Sequence, residues 1–544
     1  MNEVLTPLQR FWRLLSLNTK EIYQIYGYAV LNGFVNLSLP LGIQSIISFI
    51  QTGQITFSWV LLVAFVLIGI AITGVLQVLQ LRIVENIQHE LYTRSAFEFA
   101  YRIPKLQLSK VDNVHVPEVV NRFFDTLTIQ KGIPKILIDF SLAGFQIFFG
   151  LILLAFYSPY FILLGIALIF FIWLIIRLNG NKGLSYSLQE SKMKYALAHW
   201  LEEIAENNKS FKFYSNREFH LHKADRLVKG YLQARESHFQ VLLRQFKQFI
   251  GLKIFLAAGL LIAGSMLVFQ ARLNLGQFVA AEIIIIIIIN SIEKIISVLD
   301  TIYDVLTGLE KIGIVTDVPL DEPEGTMNPF YDQGLEVRVN NLSFKFSADK
   351  LPILGIDKLH LDKNSVTILG GAAGNGKTTF LKILARVLTE YEGQVMFNDI
   401  PIDNFSSEFL QQNVGVVFST NELFDGTVLE NITLGDDVPE EKIYAMLRSI
   451  NAADFVSQLP NGLHSEIDSA GRRIPKSIIQ KLLLVRALVH NPKLLLLDQA
   501  LSDVEIHERE EIIKFLVLKQ EDVTIITTAN DSLWRKYANQ IIEL

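Results

Sequence analysis

The residues best suited to chemistry lie in two short stretches of the C-terminal half. The first, "SVTILGGAAGNGKTTFLKILARVL" from residue 365 to 388, contains Gly371, Gly374, Asn375, Gly376, Lys377, Thr378 and Thr379. Its spacing is G-x-x-x-x-G-K-[ST], set between a β-type apolar run and a helical one. Glycines let successive backbone amides curl around an anion. A helix starting near Lys377 turns its free N–H groups and the positive end of its dipole toward that anion. Lys377 then brings charge to the β- and γ-phosphates, and the Thr378 hydroxyl faces Mg²⁺. The second stretch is "LLLLDQALSD", 494–503. Four leucines there run into Asp498, an acid at the end of a buried strand. Gln499 follows, and it can orient a water molecule but cannot take its proton near pH 7.

The elements that must position these residues belong to an α/β domain. From about 335, β-rich runs ("LEVRVNNLSFKF", "SVTILGG", "VGVVFS", "KLLLLD", "VTIITTA") alternate with helical stretches, which predicts a mainly parallel sheet over 335–544. Residues 1–310 are of another kind. Six apolar blocks, at about 22–50, 57–81, 136–157, 160–178, 246–270 and 276–300, each reach the roughly 20 residues a helix needs to cross hydrocarbon. The segment 311–334, with "TDVPLDEPEG", is rich in Pro, Gly and acids and reads as a linker. The fold class predicted is therefore a membrane α-helical domain of six spans followed by a P-loop α/β domain.

Composition narrows the function. Half of the 544 residues are hydrophobic, which agrees with membrane spans. A net charge of −6 gives no support to nucleic-acid binding. Cysteine is absent, so disulfides, thiolate metal sites and cysteine nucleophiles are excluded. The first twenty residues carry no short apolar core with a small-residue cleavage site, so the first span is expected to act as its own insertion signal. Three links between spans are short and hold a single basic residue, Arg272. The other two are long and basic, with Arg94, Arg102, Lys105 and Lys110 in one and Lys192, Lys194, Lys209, Lys212 and Arg217 in the other. The positive-inside bias puts the long links and both termini in the cytoplasm. The long links are expected to extend the helices beyond the bilayer, their far ends ("KVDNVHVPEVVNRFFD", "KSFKFYSNREFH") reading as coupling helices or as plain solvated turns. In the sixth span Glu282, Ile286, Asn290 and Glu293 share one stripe. Glu282 reads equally as lining a path or as an interfacial acid, and Lys294 is the neighbour expected to pair with Glu293.

Six spans followed by "GAAGNGKTTFLKIL" resemble an ABC transporter half of exporter type, and the likeness covers nearly the whole chain. "LPNGLHSEIDSAGRRI" and "LFDGTVLENITLG" resemble segments of the nucleotide-binding domains of that family. The membrane part, with "PLGIQSIISFIQTGQ" and "GQFVAAE", looks most like type I secretion exporters, although no peptidase-like domain precedes the first span. The resemblance implies ATP and Mg²⁺ as cofactors. Phe346 takes the place of the aromatic that stacks on adenine, and Asp498 that of the Mg²⁺-organising acid. It also implies a partner, because each ATP in the family lies between one chain's phosphate loop and the other chain's signature.

Against that pattern the chain departs at several positions. Gln499 replaces the general-base glutamate, Ser419 the Q-loop glutamine, and Asn530 (with Ala529 as the other alignment) the switch histidine. The signature LSGGQ aligns with "IPKSI", where Pro475, Lys476 and Ser477 stand. Pro475 lacks an amide proton; Ser477 is left able to cap the helix, and Lys476 to add charge. Glu505 changes the last acid of the D-loop. The parts that hold Mg-ATP are kept and the parts that cleave it are replaced. The expectation is an ATP-binding exporter subunit with impaired hydrolysis, in a multi-pass bacterial inner-membrane complex. A heterodimer with a competent half is favoured over a homodimer; membrane lipid and a periplasmic adaptor are further partners implied by the likeness. An active homodimeric exporter and a silent ATP-sensing membrane scaffold are the alternatives, and a polypeptide or lipophilic solute is the expected cargo.

Overall fold

The computed structural model describes residues 5–52, 57–107, 116–213, 218–320, 325–345, 352–420, 422–468, 474–518, 522–529 and 531–544. Lys110, Arg217, Phe346 and Asn530 lie outside the described residues, as do parts of both expected coupling segments. The chain divides into two compact units, Met1–Pro104 with Val114–Val318, and Lys105–Asn113 with Pro319–Leu544.

The first unit is helical, and among its described residues six helical stretches are long and apolar enough to cross a membrane. A short helix, α1 (Pro7–Leu15), precedes them, opened by a capping box between Thr6 and Gln9. The first span is two helices, α2 (Thr19–Val35) and α3 (Ser38–Thr52), where the hydropathy predicts one continuous block. Pro40 explains the break: it has no N–H for the preceding turn and is tolerated only in the first turn of a new helix. The second span opens α4 (Phe57–Arg102). Next come α5 (Asp125–Pro134), a π-helical turn over Lys135–Phe140 and α6 (Ser141–Tyr157). The loosened turn follows Pro134 inside the helix, again for want of a donor. Then come α7 (Pro159–Glu206), α8 (Phe219–Phe269) and α9 (Leu275–Thr316). At about 1.5 Å per residue, the 46, 48 and 51 residues of α4, α7 and α8 are far longer than a bilayer needs. The long basic links thus continue the helices, as expected.

The core of this unit is built on α9. Ile284, Ile285 and Ile288 of the isoleucine run, with Ile292, are buried against Leu154 of α6, Phe161 and Leu168 of α7, and Phe249 and Leu256 of α8. Outward-facing Phe65, Leu67, Leu163, Trp173 and Ile262 are exposed and apolar, as surfaces toward lipid must be. Gln80 on α4 donates to the Ile25 carbonyl of α2 at 3.0 Å, and the hydroxyls of Ser187 and Thr307 join α7 to α9 at 2.8 Å. α9 runs on to Thr316, so residues 311–316, expected in the linker, are helical. Val315 is buried there and Ile312 packs on the cluster that holds Leu309, which keeps the turn in place. On the stripe of α9, Glu293 pairs with Lys253 of α8 rather than with adjacent Lys294, because successive helical side chains do not face each other.

Among its described residues the second unit has three sheets. β1 (Val337–Phe344), β2 (Leu354–Leu361), β4 (Glu392–Phe397) and β5 (Ile400–Pro401) form an antiparallel sheet in the order β2-β1-β4-β5. β3 (Val366–Gly370), β6 (Val414–Val417), β9 (Leu494–Leu497), β10 (Thr524–Thr527) and β11 (Gln540–Glu543) form a parallel sheet, β11-β3-β10-β9-β6. β7 (Gly426–Thr427) and β8 (Glu466–Ile467) make a small ribbon. All residues of β3, β9 and β10 are buried, the continuous apolar run that a parallel sheet covered on both faces requires. Register pairs Ile525 with both Val366 and Leu495, so β3 and β9 end side by side with β10 between them.

Candidate nucleotide site

The two chemical stretches meet at the C-terminal edge of the parallel sheet, where open α/β folds place their ligands. β3 leaves its sheet at Gly370, and the loop Gly371–Gly376 leads into α10 (Lys377–Leu384). Gly371, Gly374 and Gly376 have φ of +111°, +92° and +82°, a left-handed backbone that glycine alone adopts cheaply. A Cβ on Gly371 would sit 2.5 Å from the Leu544 carbonyl oxygen, and one on Gly376 2.9 Å from that of Ile353. At Gly374 nothing lies within 4 Å, which leaves the loop open on that side.

Lys377 Nζ donates to the Gly371 and Ala372 carbonyls at 2.9 and 2.7 Å, curled over the loop it would serve. Thr378 Oγ1 donates to Asp498 Oδ2 at 2.9 Å, so the hydroxyl and carboxylate expected to organise Mg²⁺ do meet. Ser419 Oγ, just past β6, donates to the same oxygen at 3.2 Å. Asn375 is turned away: its Nδ2 bonds the Leu544 carbonyl at 2.8 Å and braces the loop from behind. Thr379 points into the buried face of α10. Both were expected beside nucleotide; here their side chains face the Leu544 carbonyl and the buried side of α10.

Sequence reasoning missed Thr528, just past β10. Its hydroxyl donates to Asp498 Oδ1 at 2.8 Å and accepts the Gln499 N–H at 2.9 Å. Asp498, only 2% exposed, is thus fixed by three hydroxyls, while its own N–H bonds the Val417 carbonyl at 2.8 Å. Gln499 has φ +51° and an exposed side chain at the mouth of the site. A second missed residue, Gln480, donates to Ser502 Oγ and Asp503 Oδ2 and accepts from the Asp503 N–H, clasping the loop after Gln499. A hydroxyl or amide of this kind gives no motif signal, since its partner is chosen by folding.

The signature-like segment opens α12. We number α11 (Val428–Thr433) and α12 (Lys476–Leu488) in turn. Pro475 is the N-cap of α12, with φ −58°, and its carbonyl accepts from Ile478 and Ile479. Ser477 lies inside the first turn and makes no cap bond, a correction to its expected role. Proline already supplies the fixed φ that starts the helix. Lys476, Ser419, Asp498 and Gln499 line one cleft of about 230 Å³.

The donor set fits Mg²⁺. Hard oxygens from one carboxylate and one hydroxyl suit an ion that completes its shell with phosphate oxygens and water. No cluster of three or more metal-ligating side chains occurs among the described residues, so the protein itself forms no metal cage there.

Comparison with known families agrees with this geometry. Residues 26–292 match a family model described as the ABC transporter transmembrane region, and residues 355–502 match one described as ABC transporter. The alpha-hemolysin translocation ATP-binding protein HlyB of Escherichia coli O157:H7 is 27% identical over 280 residues, 51% of this chain and 40% of HlyB. The lactococcin-G-processing and transport ATP-binding protein LagD of Lactococcus lactis is 24% identical over 434 residues, 78% of this chain and 61% of LagD. The chain therefore spans 40% of the length of HlyB and 61% of that of LagD. A solved structure of a bacterial Atm1-family ABC exporter with ATP bound superposes with a TM-score of 0.82, covering 97% of this chain and 94% of that one at 18% identity. That likeness is one of fold.

Proposed function

Since the chain is an ABC transporter half, with membrane region and nucleotide-binding domain fused in one polypeptide, we propose that it holds Mg-ATP while hydrolysing it poorly. In this reading it works beside a competent half-transporter. Loop amides from Gly371 to Thr378 and the Lys377 ammonium grip the β- and γ-phosphates. Thr378 and Asp498 would hold Mg²⁺, which when bound would neutralise charge on the phosphates. Gln499 can offer its amide to a water at the mouth, yet no proton can pass to it. Ser419 reaches Asp498 and stays with it. The observation that carries the proposal is the contrast within one site: Asp498 is fixed by Thr378, Ser419 and Thr528, and the next residue is an amide, Gln499. Replacing a general base typically lowers rates by about two to four decades.

The family likeness supports a reading of partner and cargo. Two sites in a homodimer would both lack base and signature, whereas a heterodimer would keep one intact signature opposite this chain's phosphate loop. The polypeptide transport named for HlyB and LagD favours a polypeptide cargo. The positive-inside bias puts the nucleotide-binding domain in the cytoplasm. The test is to purify the chain alone and with its native partner, then measure ATP occupancy and turnover on both. The expected outcome is bound ATP with turnover well below about 1 s⁻¹ for the chain alone. Brisk phosphate release from the chain alone would overturn the reading and support the active homodimer; an empty site would do the same for ATP binding.

A further inference from the structure

α7 and α8 carry the fourth and fifth spans side by side, and one hydrogen bond sets their register. Asn179 Nδ2 donates to Gln248 Oε1 at 2.9 Å, so these two residues stand at one level. The fourth apolar block ends at about 178 and the fifth begins at about 246, which puts that level at the edge of the hydrocarbon. From there toward the bilayer centre a groove of about 300 Å³ runs between the helices. Phe171, Leu174 and Leu178 line it from α7, and Gly251, Leu252 and Phe255 from α8. A Cβ on Gly251 would meet nothing within 4 Å, so the missing side chain leaves open space there and not a close helix contact. The rings of Phe171 and Phe255, two turns further in, meet edge to face with centroids 6.0 Å apart and close the deep end. Leu178 at the rim is 58% exposed.

One turn outside the hydrocarbon edge the same two stripes end in cations. Lys182 lies four residues beyond Leu178, and Arg244 four residues before Gln248. Both are exposed, with no acidic partner among the described residues. The surroundings are positive as well. From Phe171 to Gln189 on α7, and from His238 to Phe269 on α8, the sequence holds no acid, while Arg177, Lys182, Arg244, Lys247 and Lys253 are present. Lys253 is taken by Glu293 of α9. Glu190, Asp300 and Asp304 belong to a separate cluster around Arg235 and buried His238, about 10 Å further along the helices. Even if Glu190 is set against Arg235, and Asp300 and Asp304 each offset one cation, two positive charges remain.

We propose that this seam holds an anionic phospholipid, its phosphate between Lys182 and Arg244 and the start of one acyl chain along Leu178, Leu174 and Gly251. The levels agree: headgroup phosphates lie just outside the hydrocarbon, where the two cations stand, and acyl chains lie inside it, where the groove runs. The charge selects an anionic headgroup, because a zwitterionic one brings its own cation to the same place. The apolar groove distinguishes a lipid from a free anion, since a soluble phosphate has nothing to place there. A lipid seated this way ties α7 to α8 at the point where both leave the bilayer as long extensions.

Native mass spectrometry of the detergent-solubilised full chain, titrated with phosphatidylglycerol or phosphatidylcholine, tests the proposal without nucleotide. We expect about tenfold tighter retention of phosphatidylglycerol or more. The double variant K182Q/R244Q should lose that preference with its melting temperature unchanged. Gly251→Leu, which fills the groove while both cations stay, should weaken retention of phosphatidylglycerol, and glycerol 1-phosphate should fail to displace the lipid. Equal retention of the two lipids by the unmodified chain would overturn the proposal, whether or not the variants fold. So would a preference that survives the double substitution, retention untouched by Gly251→Leu, or displacement by glycerol 1-phosphate, which would mark a plain anion site. Exclusion of the lipid from the complex with a partner half would mark this face as an interface between chains and overturn it too.

Discussion

Gln499 concentrates the functional question into one side chain. It follows an aspartate locked by three hydroxyls, in a backbone conformation at φ +51° that an exposed turn residue can hold. Restoring a carboxylate by Gln499→Glu should raise single-turnover hydrolysis by about two decades in the assembled complex, within the range of general-base effects. Quench-flow on the complex reads this directly, and an unchanged rate would mean that the base is not what limits cleavage. Thr528 is the support to test beside it. Thr528→Val unpairs the Gln499 N–H and one oxygen of buried Asp498. Leaving such groups unsatisfied costs about 1–3 kcal/mol. The melting temperature should fall, and affinity for Mg-ATP should drop more than affinity for ATP in EDTA, as the proposed Mg²⁺ role of Asp498 requires. The phosphate loop, Asp498 and Gln499 were legible in the sequence because their chemistry is written into spacing. Thr528 and Gln480 were not, because they lie about 30 and 20 residues away along the chain from the groups they fix.

At the scale of elements, close packing replaces motif. Gly183 on α7 lies under the ring of Tyr303 on α9, where an added Cβ would approach within 2.4 Å. Both residues are buried, and an overpacked contact of that kind typically costs about 1–3 kcal/mol. Gly183→Ala should therefore lower the thermal midpoint of the detergent-solubilised chain, while Gly180→Ala, with nothing within 4 Å, should not. Tyr303→Phe in the Gly183→Ala background would give little relief, since ring carbons crowd the site as closely as the hydroxyl. α11 offers a pH-dependent case. Glu430 accepts from the Thr427 N–H and hydroxyl at 2.7 and 3.0 Å, which holds its carboxyl below the ordinary value of 4.5. A carboxylate depressed in the folded state stabilises above its unfolded pKa, and that stabilisation is lost as pH falls through the folded value. Glu430→Gln should flatten the acid limb of stability below about pH 4.5, measured as melting temperature against pH. The effect is small because the group is exposed.

For the whole molecule, the nucleotide site gains meaning only through the membrane region fused to it. A scaffold that merely resides in the membrane should be indifferent to Lys377. A subunit that uses bound ATP should not be: Lys377→Ala removes the ammonium now resting on Gly371 and Ala372, and with it the charge that meets the triphosphate. Nucleotide retention by the purified complex should fall about tenfold or more, and export of the native cargo from cells should fall with it. Full export by cells carrying Lys377→Ala would favour the silent scaffold.

The sequence by itself determined the two kinds of architecture, the six membrane-crossing stretches and the strand–glycine-loop–helix turn at Gly371–Thr378. Hydrocarbon thickness, helix rise and the geometry of a bound phosphate each impose a pattern on neighbouring residues, and such patterns are visible in one dimension. The tertiary structure alone decided where Pro40 and Pro134 interrupt helices, that Glu293 pairs with Lys253, that Asn375 braces the loop from behind, and that Thr528 clasps Asp498. Each of these depends on which distant groups the fold brings within hydrogen-bonding or packing distance, and chain-local spacing carries no record of that.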